Sequence, residues 1–271
     1  MLKESGLYSF IDEKEGFVLH FLEGQQLIKT LAIIHPLGPI GLSGFRDAVL
    51  MFEPIISFLK PNEGFGFYID SADPQFMLKI ETNAQGLIRT LLLPENFDQF
   101  PKKIKGVARL TKVFGETKAS QYSSSIELNG IGFHEIANKI LKDSYQVSAK
   151  CFLSEESDQS ILIMKLPGNK NEKGLEEYWE LIQPKIEKIF AMALNEKQEI
   201  VTSFEEMGLI FLNSKEVIFK CSCNRERMLS GIRSLFNTGS TVESLFEDKD
   251  FIELKCDYCK TSYLITKTEI A

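Results

Sequence analysis

Two closely spaced pairs of cysteines lie near the C-terminal end of this 271-residue chain. One residue separates Cys221 from Cys223, and two residues separate Cys256 from Cys259. Four thiolates from two short turns match the ligand set of a tetrahedral zinc ion, because each turn supplies two sulfurs on one side of the metal. Each pair could also close into a disulfide, although a bridge across a single residue is tighter than usual. The same sulfurs can therefore hold a metal or hold each other.

The fifth cysteine and the three histidines indicate structural roles. Cys151 alternates with apolar residues in a strand pattern, which is typical of an inert thiol in a core. His20 lies in another strand pattern, His35 precedes a proline turn, and His134 lacks the second histidine of a metalloprotease helix. No catalytic triad or carboxylate pair is visible in the sequence, and we predict that the protein is not an enzyme.

Composition narrows the class of protein. Hydrophobic residues make up 44% of the chain and charged residues 25%, as in an ordinary globular protein. The net charge of −7 argues against a nucleic-acid-binding module. Residues 1–5 do not lead into the apolar core of a signal peptide, and the apolar stretch 27–42 carries a lysine and two prolines, so it is a poor membrane span. We therefore expect a cytoplasmic protein without a membrane partner, in a compartment where clustered thiols bind metal or sense oxidants.

The spacing of apolar residues predicts an α+β fold, with a mixed α/β domain over residues 1–194. Period-two alternation predicts strands at 17–21, 65–69, 76–80 and 161–165. Helical spacing predicts helices at 25–34, 45–59 and 133–141, and a longer one after Gly174 that contains Pro184.

The composition of residues 195–216 predicts a linker. This segment mixes charged side chains with a few apolar ones, and Ile200, Phe204 and Met207 lie on one face of a helix. Gly208 and the neighbouring β-branched residues make an isolated helix marginal in water. We interpret the segment as a metastable linker that is helical only when it is docked on another surface.

The sequence pattern of residues 217–271 predicts a small zinc-binding domain. Strands are expected at 217–220, 251–254 and 263–265, a short helix at 241–246, and a longer helix with Asn224 as its N-cap. A domain of about fifty residues has a thin core, and a structural zinc ion would contribute roughly 10–16 kcal/mol to its folding. Three arginines on or near the longer helix are expected to face solvent or to pair with the acidic linker: Arg225, Arg227 and Arg233.

Longer motifs surround both cysteine pairs. The sequence is FKCSCNRER over residues 219–227 and LKCDYC over residues 254–259, followed by Tyr263. This order and its C-terminal placement resemble the heat shock protein 33 family, the redox-regulated holdase chaperones of bacteria. Upstream, Leu166-Pro167-Gly168, an amphipathic helix and an acidic linker follow in the family's order. The stretch 143–147 departs from the family, because DSYQV stands where the family usually has Ser-Glu-Gln-x-Pro.

The resemblance implies a function. In the reduced protein, one zinc ion would be bound by Cys221, Cys223, Cys256 and Cys259. Oxidation would pair Cys256 with Cys259, melt the linker, and pair Cys221 with Cys223 once zinc has left. The apolar surface uncovered on the N-terminal domain would hold unfolded client proteins without ATP. We expect the linker side chains Ile200, Phe204 and Met207 to cover that surface in the reduced state. The family also implies a homodimer of the oxidised chain.

Two other functions fit the same cysteines. The four sulfurs could form a purely structural site in a zinc-ribbon adaptor that binds a protein partner constitutively. Alternatively, Cys256 and Cys259 could belong to a thiol-disulfide oxidoreductase, although no βαβ thioredoxin pattern surrounds them.

Overall fold

The computed structural model describes residues 2–99, 102–114, 121–168, 173–236, 242–247 and 249–270. The chain divides into two compact units, Met1–Phe219 and Lys220–Ala271. The predicted linker, residues 195–216, lies within the first unit. It contains a helix and the first part of a strand that ends at Phe219, and the sequence pattern had indicated only the helix.

Ten strands of the first unit form one sheet. They are β1 (Ser5–Asp12), β2 (Phe17–Glu23), β3 (Glu63–Asp73), β4 (Gln75–Asn83), β5 (Leu87–Leu93), β6 (Ile104–Phe114), β7 (Gln121–Ile131), β8 (Ala149–Leu153), β9 (Gln159–Lys165) and β10 (Ile210–Phe219). Their order across the sheet is β7-β6-β3-β4-β5-β10-β1-β2-β9-β8. All neighbours are antiparallel except β5 and β10, which are parallel. The strands predicted from alternation, now β2, β3, β4 and β9, are confirmed.

Five α-helices accompany this sheet in the described residues. They are α1 (Gln25–Ile34), α2 (Pro39–Phe52), α3 (Phe133–Asp143), α4 (Leu175–Phe190) and α5 (Lys197–Glu205). The helix predicted at 45–59 begins earlier, at Pro39, and ends at Phe52, where a 3₁₀ turn over Glu53–Phe58 takes over. Pro54 lies in that turn and lacks the N–H that would continue the α-helical ladder. None of the described helices combines the length and the apolar character needed to cross a membrane.

Helices cover both faces of the sheet where β1, β2 and β9 lie. On one face, α1, α2 and α3 pack into the larger core together with Leu7, Leu22 and Leu162 from the three strands. On the other face, α4 and α5 pack against side chains such as Phe10 and Phe21. Because both faces are covered, every residue of β2 is buried.

Strand β10 joins the two halves of the sheet. It pairs with β1 through seven residue pairs, from Ser5↔Val217 to Ile11↔Ile210, and with β5 through only two, Ile218↔Leu87 and Phe219↔Ile88. Gly86, just before β5, has a φ of +80°, and a Cβ there would lie 2.0 Å from the carbonyl oxygen of Glu216. Glycine therefore permits both the turn and the close approach of β10.

In its described residues, the second unit contains a β-hairpin, two α-helices and a 3₁₀ turn over Lys267–Glu269. Its elements are α6 (Arg225–Phe236), α7 (Val242–Phe246), β11 (Phe251–Lys255) and β12 (Ser262–Thr266). Asn224 Oδ1 accepts a hydrogen bond from the backbone N–H of Arg227 at 2.9 Å, which confirms the predicted N-cap. The buried core found among the described residues is small: Leu229, Ile232, Phe246, Ile265 and Ile270. A core of this size gives little hydrophobic stabilisation.

Glu53 is a carboxylic acid buried within the first unit. Its side chain is 0% exposed, and Oε1 accepts a hydrogen bond from the Thr82 hydroxyl at 3.0 Å. Oε2 has no hydrogen-bond partner among the described residues. Burial raises the pKa of Glu53 to about 8, and the bond from Thr82 and the charge of Lys215 oppose that rise only in part.

The free energy of unfolding should therefore fall as pH rises from about 4.5 towards 8. In this window Glu53 stays protonated in the folded chain but ionises in the unfolded chain, so unfolding releases a proton. This one group can contribute up to about 1.4 kcal/mol per pH unit. Urea unfolding of wild type and Glu53→Gln at several pH values should show a weaker pH dependence for the variant. The exposed control Glu180→Gln should keep the wild-type dependence, and a Glu53→Gln variant that kept it too would contradict the assignment.

Candidate metal centre

The four clustered cysteines lie in two turns of the second unit. Cys221 and Cys223 stand between the end of β10 and the start of α6, and Cys256 and Cys259 lie in the turn that joins β11 to β12. Two backbone hydrogen bonds close the second turn: Lys260 N–H donates to the Cys256 carbonyl at 2.8 Å, and Cys256 N–H donates to the Thr261 carbonyl at 2.9 Å. The second turn therefore presents its two sulfurs from a hydrogen-bonded backbone.

The sulfurs of the two turns converge on one point. All four Sγ atoms lie within 4.8 Å of one another. Cys221 Sγ is 3.7 Å from Cys256 Sγ, and Cys223 Sγ is 3.2 Å from Cys259 Sγ. Metal–sulfur bonds of about 2.3 Å in a tetrahedron place neighbouring sulfurs about 3.8 Å apart. The four residues proposed as ligands from the sequence are thus brought together, and the cluster could hold one metal ion.

The surroundings of these thiols shift their pKa values in opposite directions. Burial raises the pKa of Cys221 to about 12 and also raises that of Cys223. Burial opposes ionisation of Cys259 as well, but hydrogen bonds with the hydroxyl and backbone N–H of Thr261, together with those from Cys223 and Cys256, lower that pKa to about 6. Like charges this close repel one another, so all four sulfurs become thiolates together only around a cation.

Two hydroxyl groups stand beside the sulfurs and were not assigned a role from the sequence. Tyr263 Oη lies 3.2 Å from Cys223 Sγ, and Thr261 Oγ1 lies 3.2 Å from Cys259 Sγ. The interaction with Cys223 is the main cause that raises the pKa of Tyr263 to about 12, so the phenol keeps its proton. Towards a thiolate, both hydroxyls are donors. Their sequence signal is only a position shortly after the second cysteine pair.

The arginines of α6 form hydrogen bonds and ion pairs within the second unit. Arg225 donates to both carboxylate oxygens of Glu269, at 2.7 and 2.8 Å, and these bonds lower the pKa of Glu269 to about 2. Arg227 Nη1 donates to the carbonyl of Ser222, between the first two cysteines, at 2.9 Å. Arg233 donates to Glu226 and to the Glu269 carbonyl. The arginines are exposed, as expected, but these partners lie in the second unit instead of in the acidic linker.

The remaining cysteine lies outside this cluster. All five cysteines fall within the described ranges, and none forms a disulfide. Cys151 is 2% exposed in the larger core of the first unit, and burial raises its pKa to about 12. Its thiol is therefore unreactive, as the strand pattern predicted.

Two of the histidines are buried with hydroxyl partners in the first unit. Ser9 Oγ lies 2.8 Å from His20 Nδ1, and Thr90 Oγ1 lies 2.9 Å from His35 Nε2. Burial lowers the pKa of His20 to about 4, so its ring is neutral at neutral pH. These contacts agree with the structural roles expected from the sequence.

Comparisons with known proteins agree on one family. The family model described as "Hsp33 protein" matches residues 5–266. A "33 kDa chaperonin" of Photobacterium profundum is 22% identical over 72% of this chain and 73% of its own length. Another, from Pseudomonas paraeruginosa, is 22% identical over 60% of this chain and 57% of its own length. The crystal structure of a 33 kDa chaperonin from Thermotoga maritima covers 98% of this chain and 96% of its own, with a TM-score of 0.75 and 14% identity, which establishes a common fold.

The cluster should bind one tetrahedral cobalt(II) ion per reduced chain. Titration with Co²⁺ should give sulfur-to-cobalt charge-transfer bands that saturate at one equivalent, because four thiolates suit tetrahedral coordination. Cys256→Ser should weaken the binding by roughly tenfold or more, since loss of a ligand costs at least as much as loss of an outer-shell partner. Cys151→Ala is the matched control and should leave the titration unchanged. Undiminished binding by the Cys256→Ser variant would rule out this ligand set.

The Tyr263 hydroxyl should strengthen metal binding. Tyr263→Phe removes a donor to Cys223 Sγ and should lower the affinity for Zn²⁺ by roughly tenfold, as is usual for outer-shell partners of metal ligands. Competition with a chromophoric chelator measures this affinity. Tyr122→Phe changes a half-exposed tyrosine of the first unit and should leave the affinity at the wild-type value. Equal affinities in the two variants would show that the Tyr263 hydroxyl has no such role.

Proposed function

This chain belongs to the Hsp33 family, and on that premise we propose that it is an ATP-independent holdase chaperone that oxidation activates. Its curated relatives are named chaperonins. In the proposed cycle, the reduced protein holds one zinc ion through Cys221, Cys223, Cys256 and Cys259. Oxidation converts these residues into the disulfides Cys221–Cys223 and Cys256–Cys259 with release of the metal. The active form then prevents aggregation of unfolding client proteins in the cytoplasm under oxidative stress.

The observation that carries this proposal is the cluster of four sulfurs in a unit with a very small core. When bound, zinc would keep the sulfurs as thiolates and contribute roughly 10–16 kcal/mol to folding of this unit. Without it, the buried side chains of α6, α7 and β12 leave the unit marginal at best. Chemistry at the sulfurs therefore controls whether residues 220–271 stay folded.

Hydrogen peroxide is one oxidant that fits the oxidation step. One thiolate of the pair Cys256 and Cys259 attacks a peroxide oxygen, and the O–O bond breaks to give a sulfenic acid and hydroxide, which takes a proton to become water. The second thiol attacks the sulfenic sulfur, the S–S bond forms, and a second water leaves. The pair loses two electrons for each hydrogen peroxide reduced to two waters. A second peroxide oxidises Cys221 and Cys223 in the same way.

Helix α5 supports the second half of the proposal, in which a linker covers an apolar surface. Ile200 and Phe204 are each 0% exposed. The Phe204 ring stacks on Phe10 at 4.3 Å and lies 5.2 Å from Phe21, and Met207 packs against the same cluster. Loss of α5 would expose the aromatic face of β1 and β2, and exposed apolar patches of this kind bind other proteins.

The main test is light scattering from a thermally unfolding client enzyme. Peroxide-treated protein should suppress aggregation, untreated protein should not, and reduction should restore the inactive state. Zinc release, followed with a chromophoric chelator during oxidation, should accompany activation. A constitutive adaptor would lose its metal without any gain in holding activity. An oxidoreductase would instead catalyse insulin reduction, and either result would overturn the proposal.

Serine substitutions in the linker should activate the protein without oxidant. Replacing Ile200, Phe204 and Met207 removes apolar contacts worth about 3–5 kcal/mol for the phenylalanine alone, so α5 should leave the sheet while the cysteines stay reduced. Aggregation assays under reducing conditions measure the effect. Glu205→Ser changes an exposed residue of the same helix and should remain inactive. If the triple variant keeps its fold and stays inactive, these three residues do not cover the client-binding surface.

A further inference from the structure

Strand β10 fills a slot between two other strands of the first unit. On one side it pairs with β1 over seven residue pairs, and on the other it pairs with β5 over two. These two strands have no direct pairing with each other in the sheet order. Removal of β10 would leave the edge of β1 unpaired from Ser5 to Ile11, and unpaired edges accept other strands.

Side chains hold β10 only weakly in this slot. Val217 is the one buried residue of its ten, and five of the ten are exposed. The β1 strand beside it has six buried residues among eight. Most of the attachment of β10 to the sheet is therefore backbone pairing, which an extended chain of another sequence can supply.

Both ends of β10 continue into the segments that the proposed function melts. Phe219 is followed two residues later by Cys221, and Ile210 is preceded by α5, which ends at Glu205. When the cysteines are oxidised and α5 leaves its aromatic contacts, the segments that flank β10 on both sides are unfolded. The strand is then held mainly by its backbone pairing with β1.

The slot offers apolar contacts above and below the sheet. Towards the smaller core, the Phe211 ring of β10 lies 5.6 Å from Phe10. Towards the larger core, Val217 is buried and Phe219 packs against the same cluster. A strand that enters this slot can therefore place apolar side chains on both faces of the sheet, as segments from the interior of an unfolding protein can.

We propose that the edge of β1 vacated by β10 is a client-binding site, which takes an extended segment of an unfolded protein as a replacement strand antiparallel to β1. This inference rests on the proposed function and names its mode of client capture. Main-chain hydrogen bonds supply affinity independent of sequence, and the apolar pockets above and below favour alternating apolar side chains. The occupant is an unfolded chain because a folded protein rarely presents a free strand of this length.

A labelled peptide of residues 209–219, LIFLNSKEVIF, with two lysines added for solubility, is the probe. It carries the sequence that occupies the slot in the reduced protein. Fluorescence anisotropy should show at least about tenfold tighter binding to the oxidised full chain than to the reduced chain, because the reduced slot is filled. The same oxidised sample is assayed in parallel for suppression of client aggregation.

Two N-methylated peptides separate strand addition from apolar stickiness. The Ile218 N–H donates to the Gly86 carbonyl on the β5 side, at 3.0 Å. Since successive N–H groups alternate in direction along a strand, those of Lys215 and Val217 point to β1, and those of Ser214 and Glu216 point away from it. Methylation at Lys215 and Val217 should weaken binding at least about tenfold, because hydrogen bonds to β1 are lost. Methylation at Ser214 and Glu216, the matched control, should change binding by no more than about twofold.

The outcomes distinguish this site from the chaperone proposal. Equal binding of the two methylated peptides would overturn strand addition in favour of side-chain capture. Equal binding to reduced and oxidised protein would show that β10 does not leave. If no peptide binds while the oxidised protein still suppresses aggregation, the slot is not the client site and the holdase function stands. If peptide binding disappears as oxidised chains dimerise, a second copy's β10 fills the slot instead of a client. If the oxidised protein failed to suppress aggregation, the proposed holdase function itself would be wrong.

Discussion

The apolar faces of β1, β2 and β9 have to be covered on both sides, and a single stretch of chain completes that cover. The helix α5 lies on one face through Phe204, and β10 follows it and bridges the two halves of the sheet. The same stretch leads into Cys221 after only one intervening residue, Lys220. In the proposed cycle, the segment that would respond to oxidation of the sulfurs is therefore continuous in sequence with the cover of this sheet.

Elements whose surroundings differ on their two sides were found most directly from the sequence. In β4, residues such as Phe76, Leu78 and Ile80 face a core, and their neighbours in the strand are only partly buried. Alternation is then visible in the sequence. The helix α1 runs over the predicted residues for the same reason, since Leu27, Ile28 and Leu31 form one buried stripe. The four cysteines were recognisable because sulfur ligands need fixed spacing within each turn.

The elements that were missed depend on partners far away in the chain. The first six residues of β1 are all buried, so β1 shows no alternation. In β10 only the end was found, within the strand predicted at 217–220, because polar and charged residues at 213–216 interrupt the apolar pattern and the earlier part was assigned to the linker. Their pairing joins residues about 200 positions apart in the chain. The hydroxyl of Tyr263 likewise becomes a donor to Cys223 only after the β11–β12 hairpin has formed. The periodicity of a short segment does not reveal which distant strand it pairs with. The spacing of the cysteines identifies metal ligands but not the hydroxyl groups that orient them.

The pairing of β1 with β10 can form only late in synthesis of the chain. Ser5 emerges among the first residues of the nascent chain, whereas its partner Val217 is made roughly 200 residues later. At a translation rate of about 5–20 residues per second, roughly 10–40 s separate the two. Throughout that interval the outer edge of the first strand has no native neighbour, and a topology with such distant contacts closes slowly. During synthesis the edge of β1 therefore stays open to pairing with other chains, the kind of contact that leads to aggregation.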